Sequence, residues 1–395
     1  MKTAAAHSRV HPVDNEENGS FSEAGVSRQE GDIARSGTRV LILSRHDYRT
    51  KRKASAHFLA KALAEQGHEV RFFSVGYSWL SRLRGDSRTF LDQSANHWES
   101  VDGVYAYLWR GNWHATRVPL LGDKSGYLFD LWARSRCDAL DEAASVSDVI
   151  IVESGIAPML IPRVRAAAPH AKLVYRAADL LSTAGVHPRV QQVLEQSREE
   201  IDLVVVVARA MLPHFDNFDV PKIVLRHGID RDQIGAPTEN PYERPRNIVS
   251  AGSMLFDPNA VCIAAEHMPD WHFHLIGVPV HSFPDNVVQH PEMPFASTLP
   301  YLRHADIGLA AYQKEAASGY LAESSLKLLQ FGAIGLPAVC PQFAVEPGSL
   351  RFGYDPERPE TIVGALERAA LAPRVASDVP SWSQVAKNLI EAACA

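Results

Sequence analysis

Cysteine is scarce in this sequence, and its four copies (Cys137, Cys262, Cys340 and Cys394) stand far apart. No C-x-x-C pair occurs, which argues against a zinc ribbon or a disulfide framework and favours a reducing compartment. Long apolar runs are also missing. The longest, Ile201–Ala208, is broken by Asp202 and is strand-sized, far short of the roughly eighteen residues that mark a membrane span. Residues 1–37 contain no apolar core of a secretory signal and read as a polar, disordered tail. Neither G-x-x-x-x-G-K-[ST] nor G-x-G-x-x-G is present, which weakens P-loop and dinucleotide readings. No excess of positive charge exists overall. The net charge of −6 argues against nucleic acid as a partner. No repeat of fixed period is visible.

What is present is a globular composition. The 395 residues are 46% apolar, enough for two domains of ordinary size. Short apolar runs alternate with helical periodicity. The first unit is a strand at Val40–Leu43, a helix at His57–Gln66 and a strand at Glu69–Val75. Strands follow at Asp148–Glu153, Lys172–Arg176, Leu203–Val207 and Lys222–Leu225, apolar on both faces as buried parallel strands are. A segment rich in proline and charge, 235–246, reads as a linker, after which the alternation restarts. The expected organisation is a tail (1–37), a first Rossmann-like domain (38–235), a second (246–380) and a C-terminal tail (381–395). Two parallel α/β domains imply a cleft between them for ligands.

Charge is unevenly spread. Between Arg45 and Arg88 ten basic residues face four acidic ones, whereas from Arg246 onward nine basic residues face fifteen acidic ones. A local anionic partner is expected at the basic stretch, and nucleic acid, a phosphorylated substrate and a membrane surface all fit it. The loop after the first strand, with Asp47, Arg49, Arg52 and Lys53, suits a diphosphate or a solvated surface equally. Farther along, Trp79, Arg82 and Arg84 suit a headgroup surface, or an ordinary core and its rim. Trp98, Trp109, Trp113 and Trp132, interspersed with Arg110 and Arg117, fit sugar or lipid stacking as well as core packing.

Three further segments point to chemistry. The turn at Gly252, Ser253 and Met254 opens the second half and lets a ligand approach the backbone, although an empty β–α turn reads the same. Ser324 and Ser325 suit a helix N-cap, which puts Leu326, Lys327 and Gln330 at or near the first turn. The free amides and partial positive charge of such an end favour a diphosphate. A lysine there is electrostatically misplaced without an anion, unless it reaches into water. Asp179 follows a strand's C-terminal end, where one carboxylate suffices as general base on a sugar hydroxyl. Capping of the next turn with Ser182 is the open alternative. No D-x-D stands directly at a strand end, so a metal-free mechanism is expected, with Lys327 and the helix end neutralising a leaving group.

These stretches together resemble the GT-B glucuronosyltransferases of xanthan-type exopolysaccharide assembly, the GumK family. The matching segments are Ser44–Phe58, Phe72–Asp86, Ser147–Ile156, Ala171–Val186, Gly252–Pro258, Tyr320–Gln330, Gly335–Pro341 and Arg351–Pro356. They spread over roughly residues 38–385. The resemblance implies two Rossmann-like domains facing across a cleft. It implies an inverting, metal-independent transfer of glucuronate from UDP-glucuronate to the mannose of a polyprenyl-diphosphate-linked oligosaccharide, giving a β-1,2 linkage. It assigns the base to Asp179 and UDP contacts to Met254, Tyr312, Lys327 and Gln330. It also implies peripheral attachment to the cytoplasmic face of the inner membrane, in line with the basic stretch. Leu326 and Lys51 stand where the family pattern has Met and Pro. Arg176 and Arg45 are candidate partners for the donor's carboxylate. The rival functions are a UDP-sugar epimerase of similar architecture and a non-catalytic scaffold docked at the membrane.

Overall fold

A computed structural model of the chain describes residues 37–395 apart from 117–121, 123, 184 and 316–317. The expected N-terminal tail and Arg117 lie outside the described residues. The remainder builds two parallel sheets. The first holds β1 (Arg39–Ser44), β2 (Glu69–Ser78), β3 (Trp98–Val101), β4 (Val104–Gly111), β5 (Val149–Glu153), β6 (Lys172–Ala177), β7 (Leu203–Val206) and β8 (Lys222–Val224), in the order β3-β4-β2-β1-β5-β6-β7-β8. The second holds β9 (Asn247–Ala251), β10 (His272–Ile276), β11 (Val287–His290), β12 (Ile307–Leu309), β13 (Ala338–Pro341) and β14 (Arg351–Tyr354), in the order β11-β10-β9-β12-β13-β14. Every pairing is parallel except β3 with β4.

The central strands are apolar throughout because helices cover both of their faces. In β1, Val40 and Ile42 point to one face with Leu59, Leu63, Val70 and Phe72, while Leu41 and Leu43 join Phe73, Val152 and Tyr175 on the other. The second core contains Ile248, Phe273, Ile307, Val339, Ile362 and Leu366. Among the described residues no helix is long and apolar enough to cross a membrane.

The last segment departs from the expected C-terminal tail. Trp382–Cys394 is a helix, N-capped by Ser381, whose hydroxyl accepts the Gln384 N–H at 3.1 Å. Its apolar stripe (Trp382, Val385, Ala386, Leu389, Ala393) packs on the first sheet's core, and Trp382 stacks on Phe58 at 5.7 Å. The chain therefore passes between the lobes twice, and the two passages bond to each other. Ile229 N–H donates to Pro380 O at 2.9 Å and Trp382 N–H to Ile229 O at 3.1 Å. Only glycine fits at the neighbouring position 228, where a Cβ would lie 2.6 Å from the Trp382 nitrogen.

Leu389→Ala should lower unfolding stability by about 2–5 kcal/mol, the usual cost of a core cavity. Leu371→Ala, at an exposed site, should stay within about 0.5 kcal/mol. Urea unfolding of both variants measures the contrast, and equal losses would remove the final helix from the first lobe's core.

Candidate active site

Parallel strands deliver their C-terminal ends, and the loops that follow, to one edge of the sheet. At that edge β5 ends in Glu153 and β6 carries Arg176, followed by Asp179. Glu153 and Arg176 are both buried and form an ion pair at 2.6 Å. The Ser44 hydroxyl donates to Glu153 at 3.2 Å, and Arg176 donates to Ser55 Oγ at 3.1 Å and lies 3.2 Å from His227 Nδ1. Such a pair offsets the desolvation of both charges only while each partner stays in place. Asp179 sits just above it and is half-buried, with its N–H on Ser154 Oγ at 3.1 Å. Burial pushes its carboxyl up to about 6. A hydrogen bond from Tyr320 opposes the shift, Glu153 adds to it, and Arg176 and Arg45 oppose it more weakly.

The second lobe supplies the opposite half. β9 ends in Ser250 and Ala251, and Gly252 then turns with φ of 91°, a conformation that favours glycine. Ser325 N-caps the helix Leu326–Ala333 by accepting the Leu328 N–H at 3.2 Å. Its hydroxyl also meets Tyr312 OH at 2.6 Å, which fixes the cap against β12's following loop. The first intrahelical bond runs from Leu329 N–H to Ser325 O, so the Leu326 and Lys327 amides stand at the free end. Lys327 Nζ donates to Ser250 Oγ at 3.2 Å and to Gly252 O at 3.5 Å, and sits 5.4 Å from the Tyr312 ring centre. Burial pulls its ammonium down to about 7, and Arg52 lowers it further. All of these partners are neutral acceptors.

The two halves meet. The Tyr320 hydroxyl donates to Asp179 Oδ1 at 3.2 Å and lies 3.1 Å from Thr183 Oγ1. From the first lobe's basic loop, Arg52 reaches across to Ser253 Oγ at 3.2 Å. Arg226 holds Glu346 in a two-pronged ion pair at 2.9 Å for each prong. Asp179 is therefore in direct contact with the second-lobe segment that runs from Tyr320 through Leu321–Ser324 into the Lys327 helix.

Several expected residues take other places. Asp47 is fully buried, bonded by Ser74 at 2.8 Å and by Arg49 at 2.8 and 2.9 Å, and Arg49 continues to Glu99 at 2.6 Å. Burial acts to raise the Asp47 carboxyl, and the Arg49 and Ser74 bonds outweigh it. Both residues thus brace the loop from inside instead of presenting charge to an acceptor or a membrane. Lys53 folds back onto Tyr48 O at 2.6 Å. Arg52, on the loop expected to meet a diphosphate or solvent, lies against Ser253 of the second lobe. Arg176 is consumed by Glu153 and cannot meet a donor carboxylate, whereas Arg45 is exposed. Met254 is exposed, and Leu326 and Gln330 are half-buried beside Lys327. Trp79, Arg82, Leu83 and Arg84 form an exposed corner together with Phe90 and Trp113, while Trp109 and Trp132 are core. Sequence reasoning missed Glu153, Ser154, Ser250 and Tyr320.

Residues 42–207 match the family model described as glucuronosyltransferase GumK, N-terminal domain. A curated relative, UDP-glucuronate:glycolipid 2-beta-glucuronosyltransferase of Xanthomonas campestris pv. campestris, is 39% identical over 359 residues, covering 89% of each chain. The chain belongs to the GumK glucuronosyltransferase family. Solved structures with a similar fold include sucrose-phosphate synthase from Thermosynechococcus elongatus (TM-score 0.59, 14% identity, covering 90% of this chain and 94% of that one). The N-terminal domain of Candida albicans trehalose-6-phosphate phosphatase is another (TM-score 0.63, 11% identity, covering 95% and 98%). The architecture of this GumK-family chain is GT-B, two parallel α/β sheets facing across a cleft.

Glu153→Ala leaves Arg176 buried without its counter-charge and should lower stability by about 3–5 kcal/mol. The paired change Glu153→Leu with Arg176→Met should recover most of that loss. Chemical denaturation of both proteins tests this. A single variant as stable as the parent would show that the ion pair carries no structural burden.

Proposed function

We propose that this chain transfers glucuronate from UDP-glucuronate, with inversion, to the mannose of a polyprenyl-diphosphate-linked oligosaccharide, forming a β-1,2 linkage in exopolysaccharide assembly. The observation that carries the reading is a carboxylate on the first lobe bonded by Tyr320 of the second, on the same short segment that leads into the helix end bearing Lys327. In the reaction Asp179 takes the proton of the acceptor hydroxyl as its oxygen attacks the anomeric carbon. The bond from that carbon to the UDP oxygen breaks, and the diphosphate leaves with the pair. Lys327, Arg52 and the Leu326 and Lys327 amides meet its charge, which they do best in a groove that excludes water. No divalent metal is required by this scheme. Tyr312, Gln330 and Met254 border the nucleotide, and Arg45, which is exposed and acts electrostatically on Asp179, is the candidate cation for the donor's carboxylate.

The acceptor is a lipid, and the exposed corner of Trp79, Arg82, Leu83, Arg84, Phe90 and Trp113 has the mixture of aromatic and cationic groups that suits an anionic headgroup layer. We assign the protein to the cytoplasmic face of the inner membrane, as a peripheral protein seated through this corner.

Purified protein, radiolabelled UDP-glucuronate and a panel of polyprenyl-linked oligosaccharides test the reading. Transfer to a mannose-terminated lipid is expected. Conversion of the UDP-sugar without an acceptor would instead indicate an epimerase, and no turnover with any lipid would leave a scaffold. Asp179→Asn should lose about 10²–10⁴ in rate while UDP affinity is kept. In the parent protein the rate should fall as pH drops through about 6, where Asp179 takes up a proton. Near-normal turnover of Asp179→Asn would remove it as the base.

Lys327 gives a second readout. Burial lowers its ammonium to about 7, and a bound diphosphate favours the charged form. UDP binding at pH 8 should therefore draw in a proton, seen by calorimetry as a buffer-dependent heat. Lys327→Ala should abolish that uptake and weaken UDP. An unchanged affinity would overturn its assignment.

A further inference from the structure

We propose that Tyr320 is a positioning residue for the base: its hydroxyl holds one oxygen of Asp179 across the groove, so that the carboxylate is aligned only when the two lobes are together. The inference rests on Asp179 being the base and goes on to say what orients it. Three observations carry it.

The first is the bonding. Tyr320 is buried and gives its one hydroxyl proton to Asp179 Oδ1 at 3.2 Å. Thr183 Oγ1, 3.1 Å away, also lies 2.9 Å from Leu180 O, so its own proton goes to that carbonyl or to the tyrosine oxygen. Either arrangement leaves the tyrosine proton for the carboxylate. With Oδ1 taken, Oδ2 is the oxygen left for an incoming hydroxyl.

The second is connectivity. Tyr320 ends the 3-10 turn Ser318–Tyr320, which runs into the short helix Leu321–Ser324 and then Ser325, the cap of the Lys327 helix. One short segment thus bears both the group that grips the base and the group that faces the diphosphate. Movement of the second lobe shifts both together, which ties the orientation of the base to the position of the donor.

The third is the electrostatic setting. The groups facing Asp179 are Glu153 from β5, Tyr175 and Arg176 from β6, Arg45 from the loop after β1 and Tyr320 from the second lobe. Burial and Glu153 favour the protonated form, which would disable a base. Tyr320 opposes them more strongly than either arginine does. A hydrogen bond to the charged form of a carboxylate is worth more than a neutral one.

The test is the pH dependence of kcat/KM for glucuronate transfer by the full chain, in the parent protein, Tyr320→Phe, Thr183→Val and Asp179→Asn. Tyr320→Phe keeps the ring, and UDP affinity checks that the fold and donor half are intact. Its acid limb should move upward by about one pH unit, and its kcat at neutral pH should fall on the order of tenfold, with the KM for UDP-glucuronate little changed. Thr183→Val should move the limb in the same direction by less. Asp179→Asn separates the two claims: if it retains turnover, the base assignment fails. If it is inactive while Tyr320→Phe and Thr183→Val both keep the parent's acid limb and kcat, Tyr320 is merely structural and this inference is overturned.

Discussion

The structure depends on the direction in which parallel strands run. A parallel sheet gathers the ends of its strands, and so the loops that bear unsatisfied polar groups, at one edge. Here two such edges face each other, because the chain passes between the sheets once after β8 and again before the final helix, and the two passages bond at Ile229, Pro380 and Trp382. The returning helix buries Trp382, Val385 and Leu389 in the first lobe's core. That core extends without a break into the second lobe through Tyr312, Leu328 and Phe331. Facing edges follow from this double tie, and the groove between them follows from the facing edges.

Charge is arranged in that groove with a consistent logic. On the first lobe a complete ion pair, Glu153 with Arg176, lies beneath a lone carboxylate, Asp179, whose proton affinity burial has raised. On the second lobe a lysine sits at the positive end of a helix with only neutral acceptors around it. Self-repulsion of that kind costs free energy in the protein alone and is relieved by an anion. The proposed UDP-glucuronate donor would supply such an anion, with its sugar extending toward the carboxylate on the facing lobe.

Much of this was legible in the sequence, and the gaps have physical causes. The buried strands showed as apolar runs, and the Ser325 cap showed as serines before a periodic helix. The β3–β4 hairpin was missed although Asp102-Gly103, both with positive φ, is a strong hairpin signal between alternating residues. The final helix was missed although Trp382, Val385, Ala386 and Leu389 keep helical spacing after a serine cap. Other features carry no local signal. Nothing near Asp47 in the chain announces that Ser74, 27 residues on, will bury it. Tyr320 acquires its meaning only from a carboxylate 141 residues away. Local pattern gives elements and their ends, whereas pairings between distant loops depend on how the lobes close.

The most direct measurement is a crystal structure of the protein with UDP-glucuronate bound. The diphosphate should lie within hydrogen-bond distance of Lys327 Nζ and the first amides of the Leu326–Ala333 helix, with the anomeric carbon turned toward Asp179. A nucleotide seated elsewhere, or one whose sugar points out of the groove away from Asp179, would contradict the account.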